Sequence, residues 1–326
     1  MAKPSFREFD YRLRPAKRVE RKMLCEAFRR LSFFDPVENY RYIGFGSTTF
    51  ADFSLIHKTL AITDMISIEI RTHYEARFEF NRPFQCIQMK YGSSSTVLPE
   101  LTWDRRVIVW LDYEGHLTDS DLRDVAYIVM NAASGSMLVV SLNVGRYKLS
   151  QTRLKKLGLQ EARLEKLKED VGSDKVPGDI LGEDLEGWDM AHTFRRLIMN
   201  EIDQVLRDGN GLRSDEHKVK FQPLFNFHYS DQAKMLTVGG VLCEKRDEAV
   251  LQQCQFESLD FVSTDATPYK IEIPVLTPRE QSYLDKKLPQ GAIQEAIEKV
   301  GLTEREIQNY ARVYRYCPMF VEVELS

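Results

Sequence analysis

Short apolar runs alternate with amphipathic stretches over residues 40–143. Tyr40–Phe45, Met65–Ile70, Phe84–Tyr91, Val107–Asp112 and Met137–Asn143 read as five strands. The fourth, VIVWLD, has the unbroken apolar character of a strand buried on both faces. Helical spacing marks Ala51–Leu60 and Asp121–Ala133, with Thr118 and Asp121 placed for a capping box ahead of the latter. Strands and helices in alternation predict an α/β fold built on a doubly wound parallel sheet.

The flanks read differently. Lys17–Leu31 sets Val19, Met23, Ala27, Phe28 and Leu31 on one face behind Pro15, an amphipathic helix. Between Gly145 and Asp215 a charged helical stretch (Leu154–Asp170) precedes a Gly/Asp-rich loop (Val171–Gly187). A helix over Trp188–Arg207 then carries Phe194, Leu197, Ile198, Ile202, Val205 and Leu206 on one side. Val219–Tyr229 and Lys234–Cys243, joined at Ser230-Asp231-Gln232, predict a hairpin, antiparallel because the connection is so short. In the tail, Tyr269–Leu276 and Phe320–Leu325 look like strands. Thr277…Glu280 and Thr303…Glu306 have the form of capping boxes, with Pro278 at the first helical position. The organisation expected is a helical segment at 1–39, a core at 40–245 interrupted by a helical insertion at 145–215, and a small α+β extension at 246–326.

Open parallel sheets bind ligands at the carboxyl ends of their strands. Strand one ends in Gly44-Phe45-Gly46-Ser47, where glycine lets backbone approach a ligand closely. Strand two ends in Glu69, 25 residues after Gly44, a carboxylate able to accept both hydroxyls of a ribose. Strand three ends near Tyr91-Gly92-Ser93, suited to a base. Strand four ends in Asp112-Tyr113-Glu114-Gly115 and strand five in Asn143. The third glycine of a dinucleotide fingerprint is replaced by Thr49, and no phosphate-cradling G-x-x-x-x-G-K-[ST] loop is present.

A sheet of five parallel strands extended by an antiparallel hairpin, with these residues at the strand ends, resembles the class I S-adenosylmethionine-dependent methyltransferases. The run YRYIGFGSTTFADF…MISIE…RFEFNRPF…VIVWLDYEG is more closely similar to a bacterial family of O-methyltransferases. The resemblance implies a Rossmann-like fold and S-adenosylmethionine as cofactor. It places Gly44, Phe45, Gly46 and Ser47 at the methionine end, Glu69 on the ribose, and Tyr91 and Gly92 near the base. Asp112 would orient or deprotonate the acceptor, also bordering the cofactor, with Tyr113 and Glu114 beside it as further catalytic candidates. The activity implied is O-methyl transfer to an unidentified acceptor. The alternative is an inactive methyltransferase-fold scaffold in a protein or nucleic-acid assembly, such as one serving host defence. Catechol-type relatives hold Mg²⁺ with an acid after strand four and an Asp-Asn pair after strand five. Asp112 and Asn143 match two of those positions, but Leu142 replaces the middle carboxylate, so no metal is expected.

Composition narrows the rest. The chain has 326 residues, 43% hydrophobic and 29% charged, which excludes disordered and collagen-like classes. No apolar run approaches the ~20 residues that span a bilayer, and the first ten residues, MAKPSFREFD, lack the apolar core of a secretory signal. The cytoplasm is the expected compartment. Five scattered cysteines without a CxxC pair predict reduced thiols. Six histidines, none at HxxxH spacing, offer no zinc site. Net charge is −4, yet ten Lys/Arg face four acids between Lys3 and Arg30. That local excess predicts contact with an acidic protein or nucleic acid through the amino-terminal segment.

Overall fold

In the computed structural model, which describes residues 14–290 and 293–317, eight strands join in one mixed sheet. They are β1 (Arg41–Phe45), β2 (Asp64–Glu69), β3 (Ile87–Tyr91), β4 (Val107–Asp112), β5 (Met137–Asn143), β6 (Val219–Ser230), β7 (Lys234–Glu244) and β8 (Tyr269–Ile271). Their order is β3-β2-β1-β4-β5-β7-β6-β8. β1 to β5 pair in parallel, and β7 runs antiparallel to both β5 and β6. The sheet is thus the Rossmann-like, doubly wound one expected, extended by the antiparallel hairpin, although β8 and not the hairpin forms its edge. Chain order reverses between β1 and β4, which opens a crevice at their carboxyl ends.

The helices are α1 (Pro15–Arg30), α2 (Ala51–Leu60), α3 (Glu75–Asn81), α4 (Ser94–Val97), α5 (Asp119–Asn131), α6 (Gln151–Leu157) and α7 (Leu159–Val171). They continue with α8 (Asp189–Asn210), α9 (Glu248–Gln253), α10 (Pro278–Asp285), α11 (Ile293–Val300) and α12 (Glu304–Val313). The charged stretch expected as one helix is two, because Gly158 at φ +76° breaks the helical path between α6 and α7. All three capping boxes anticipated ahead of α5, α10 and α12 form.

Strand parity sorts the apolar residues into two layers. Tyr42, Met65, Ile108, Trp110, Met137 and Val139 face one side, where Val19, Met23, Ala27 and Phe28 of α1 pack with Phe53 of α2. Ile43, Ile66, Val109, Leu111, Val140 and Leu142 face the other, covered by Leu122 and Val125 of α5 and by Phe194, Leu197 and Ile202 of α8. Each such side chain taken from water contributes ~1.5–3 kcal/mol, so α1 is a fixed part of the core. Its start is fixed as well. No acid stands in its first turn. Instead the Asp231 carboxylate, from the β6–β7 turn, accepts the N–H groups of Ala16 (3.0 Å) and Lys17 (3.1 Å).

The tail differs from expectation at its strand. Only Tyr269–Ile271 is extended, and it pairs in parallel with β6 as the eighth strand of the main sheet. A small separate cluster of Leu284, Ala296, Leu302, Ile307 and Tyr310 holds α10 to α12 together. The strand expected at Phe320–Leu325 lies outside the described residues. Among the described residues no helix is long and apolar enough to cross a membrane.

Candidate active site

The crevice above β1 and β4 is a cleft of about 790 Å³. Phe45, Gly46, Ser47, Glu69, Gly92, Asp112, Tyr113 and Glu114 all line it. Two of the residues singled out in the sequence do not. Gly44 is buried within the sheet, where an added Cβ would stand 2.7 Å from the Tyr42 hydroxyl and 3.2 Å from the Trp110 carbonyl oxygen. Its role is to let β1 pack. Tyr91 turns its hydroxyl to α3, donating to the Glu75 carbonyl and the Glu79 carboxylate at 3.4 Å, so a neighbouring helix takes the ring expected beside a base. Gly92, Ser93 and Ser94 form that part of the wall.

Gly46 must be glycine for a steric reason. A Cβ there would sit 2.2 Å from Ser67 Oγ on β2, far inside contact distance. Ser67 is itself fully buried, and its Oγ has no hydrogen-bond partner among the described residues. The backbone of β1 therefore turns into the cleft hard against β2. Next on β2, Glu69 is nearly buried at 8% exposure, one carboxylate oxygen accepting the Arg71 N–H at 2.9 Å. Burial raises the Glu69 carboxyl above its ordinary pKa, against the pull of the Arg71 backbone and guanidinium.

At the end of β4 the three acceptor-side candidates are in different states. Tyr113 donates its hydroxyl to Asp124 at 2.8 Å and packs edge-on to Phe45, with ring centroids 5.1 Å apart. Burial, then the Asp124 charge, drive its pKa far up. Glu114 is more than half exposed and pairs with Arg71 at 3.6 Å. Asp112 is the exception: Oδ1 accepts from Lys17 Nζ at 2.8 Å, while its side chain keeps 21% exposure in the cleft.

Lys17 is the principal residue that sequence reasoning placed wrongly. It was grouped with a charged, partner-facing segment, yet it is fully buried. Its Nζ lies between Asp112 and Glu20 Oε2 (2.9 Å) and 4.5 Å from the Trp110 ring centre. Burial lowers the ammonium's proton affinity, but Asp112 and Glu20 outweigh it and the group stays charged. Glu20 is held in turn by the Tyr229 hydroxyl (3.1 Å) and the Thr237 hydroxyl. One turn on, Arg21 pairs with Asp52 at the head of α2, both lining the cleft.

The remaining described cations of α1 are mostly used internally too. Arg30 donates to the Cys254 and Gln255 carbonyls and to Ser258, Arg29 to the Thr59 carbonyl, and Lys22 to the Cys317 carbonyl. Lys17 and Arg21 thus serve the core and the cleft, while Arg18 and Arg29 stay exposed, and nothing in the structure supports an acidic partner for the segment. Lys3, Arg7 and Arg12 lie outside the described residues. A signal for Lys17 existed: at ~100° per residue it falls within about 20° of both Leu24 and Phe28 on the helical wheel.

The strand-end donors do not suit a divalent cation. Leu142 is fully buried in the core, and the Asn143 side-chain carbonyl accepts the Gly145 N–H at 2.7 Å. Asp112 is already balanced by an ammonium at hydrogen-bond distance. Hard cations need several carboxylate or carbonyl oxygens converging. Beyond Asn143 a second cavity of about 700 Å³ opens, sharing Glu114, Asn143, Lys148, Gln232 and Ala233 with the cleft. Its wall includes His116, whose Nε2 sits 2.8 Å from the Gly145 carbonyl oxygen and whose pKa burial lowers.

A family model described as "Putative O-methyltransferase" matches residues 9–325. No curated protein matches the chain. Among solved structures, the O-methyltransferase TomG from Streptomyces achromogenes, involved in tomaymycin synthesis and solved with S-adenosylmethionine, is 12% identical. That match covers 68% of this chain and 79% of TomG at a TM-score of 0.35. Trm1 from Pyrococcus horikoshii, also solved with S-adenosylmethionine, is 10% identical, covering 71% of this chain and 57% of its own at 0.42. The N-methyltransferase NodS from Bradyrhizobium japonicum is 9% identical, covering 69% and 97% at 0.36.

Proposed function

The chain belongs to this O-methyltransferase family, and from that premise we propose that it moves a methyl group from S-adenosylmethionine to an acceptor oxygen. The observation that carries the reading is the convergence of Gly46, Glu69 and Asp112, from three strand ends, on one cleft. The cradle fits the cofactor. Gly46 has no room for a side chain, leaving backbone at the cleft wall, and Glu69 is a nearly buried carboxylate ready for hydroxyl donors. Gly46 and Ser47 would hold the methionine end, Glu69 the ribose, and Gly92 to Ser94 the base.

When bound, the cofactor supplies an electrophilic methyl group on a sulfonium, open to in-line displacement. The protein's task is then positioning and, for an alcohol, taking up a proton. Asp112 Oδ2 is the group suited to accept a hydrogen bond from the acceptor, since Oδ1 is held by Lys17. Tyr113 and Glu114 shape and charge-balance the wall beside it. The acceptor itself would occupy the adjoining cavity past Asn143. The scaffold alternative drew its support from Leu142 and from a basic arm. The second point weakens, since Lys17 of α1 pairs with Asp112 and Arg21 lines the cleft.

The test is calorimetry with S-adenosylhomocysteine. Micromolar binding, ~−8 kcal/mol, with no comparable NAD binding supports the reading. Tight NAD binding with no response to S-adenosylhomocysteine sinks it.

A further inference from the structure

A fully buried lysine is rare unless its charge is matched. Lys17 is matched twice, by Glu20 on its own helix and by Asp112 at the end of β4. The two acids are not equivalent. Glu20 is sealed in the core, its oxygens occupied by Lys17, Tyr229 and Thr237. Asp112 borders the cleft, and among the described residues a side chain engages its Oδ1 alone. The backbone of Lys17 is pinned by Asp231, so its ammonium is delivered from a fixed helix start.

We propose that Lys17 is a positioning residue for methyl transfer: its ammonium fixes Oδ1 of Asp112 and leaves Oδ2 facing the acceptor. The inference rests on the methyl-transfer reading given above and adds a residue outside the cleft to it. Physically, a carboxylate on a short strand end has two soft torsions. An ammonium at 2.8 Å, itself immobilised by Glu20 and by the Trp110 face, removes that freedom. Arg21, the other buried cation of α1, is taken by Asp52, so Lys17 is the cation that holds Asp112.

The test reads Asp112 directly. In ¹³Cγ-aspartate NMR at neutral pH, the resonance absent from Asp112→Asn identifies the group. It should be one narrow line in the wild type and in Lys17→Arg, and broadened by rotamer exchange in Lys17→Met. Turnover in Lys17→Met should fall about tenfold to a hundredfold, with S-adenosylhomocysteine affinity within twofold of wild type, and Lys17→Arg should restore most of the turnover. A line as narrow in Lys17→Met as in the wild type, or one that Lys17→Arg broadens equally, overturns the proposal. Should Lys17→Met not fold, Lys17→Met with Glu20→Leu removes both buried charges together, and the line must still broaden. Because the line shape needs no turnover, a wild type that binds cofactor but transfers nothing counts against the function reading alone.

Discussion

Glu69→Gln separates the chemistry of the cleft from its stability. The substitution keeps shape and one carbonyl acceptor but removes a charge that is only 8% exposed. Loss of a charge-assisted hydrogen bond to a ribose hydroxyl costs ~1.5–3 kcal/mol, or roughly tenfold to 150-fold in affinity. From a micromolar start, S-adenosylhomocysteine binding moves to tens or hundreds of micromolar, still within calorimetric range. The fold should respond in the opposite direction. Burial raises the Glu69 pKa, so the ionised carboxyl is a cost to the folded state. That cost is fully present above the folded-state pKa and disappears below the unfolded one. The variant, uncharged at every pH, should melt no lower than wild type at neutral pH without ligand.

The same logic fixes two pH profiles. As pH falls through the raised Glu69 pKa, wild-type affinity should weaken while the ligand-free protein gains stability from this group. Glu69→Gln should lack both trends. Asp121 also lines the cleft, and burial pushes its pKa up to about 6, so only the difference between wild type and variant reports Glu69. Affinity within twofold of wild type across the pH range would refute the assignment of Glu69 to the cofactor.

Gly46→Ala should destabilise by ~1–3 kcal/mol through overpacking. Adding Ser67→Ala should recover most of the loss in thermal melts, because the nearest remaining Ser67 atom, Cβ, is 3.6 Å away. Asp112→Asn should leave S-adenosylhomocysteine affinity intact and slow labelled-methyl transfer by ~10²–10⁴-fold, whereas EDTA should leave the wild-type rate unchanged. Arg21→Leu strands Asp52 beside the cleft and should cost about 3–5 kcal/mol in denaturant titrations. Arg18→Glu, on the exposed side of α1, should cost no more than about 1 kcal/mol.

The sheet was legible because its signal is local and repeated. β4 and β5 were read to the residue, as was α2, since each has a clear apolar period bounded by turn or cap residues. Errors fell where tertiary pairing sets the limits. The strand expected from Phe84 begins at Ile87, after Pro83 and an irregular turn, and β8 is three residues long because β6 pairs with only three. α3 was missed. Its seven residues bury Phe78 alone, leaving Phe80 exposed, so no amphipathic period exists to read. At the site, strand-end logic located Gly46, Glu69 and Asp112, but it could not say which side chains were already occupied. Tyr91 and Tyr113 each spend a hydroxyl on a neighbouring element.

The buried charges of α1 follow from polar residues that the strand reading passed over. β5 and β7 are apolar strands that each carry one hydroxyl on the α1 face, Ser141 and Thr237, and these two are direct register partners. Their hydroxyls bond each other at 2.7 Å, and Trp110 Nε1 donates to Ser141 at 2.9 Å. Side-chain hydroxyls inside a sheet require partners, and among the described residues Trp110 supplies this pair a donor but no acceptor. The layer above must supply an acceptor, and the polar residues of α1 on that face are Lys17 and Glu20. Glu20 accepts from Thr237 and Tyr229, more than two hundred residues away in sequence. Once Glu20 is drawn into the core, a cation must accompany it, and Lys17, one turn earlier, stands over the exposed end of β4. The charge of the amino-terminal helix is therefore a consequence of the polarity of β5 and β7, and Asp112 is reached through it.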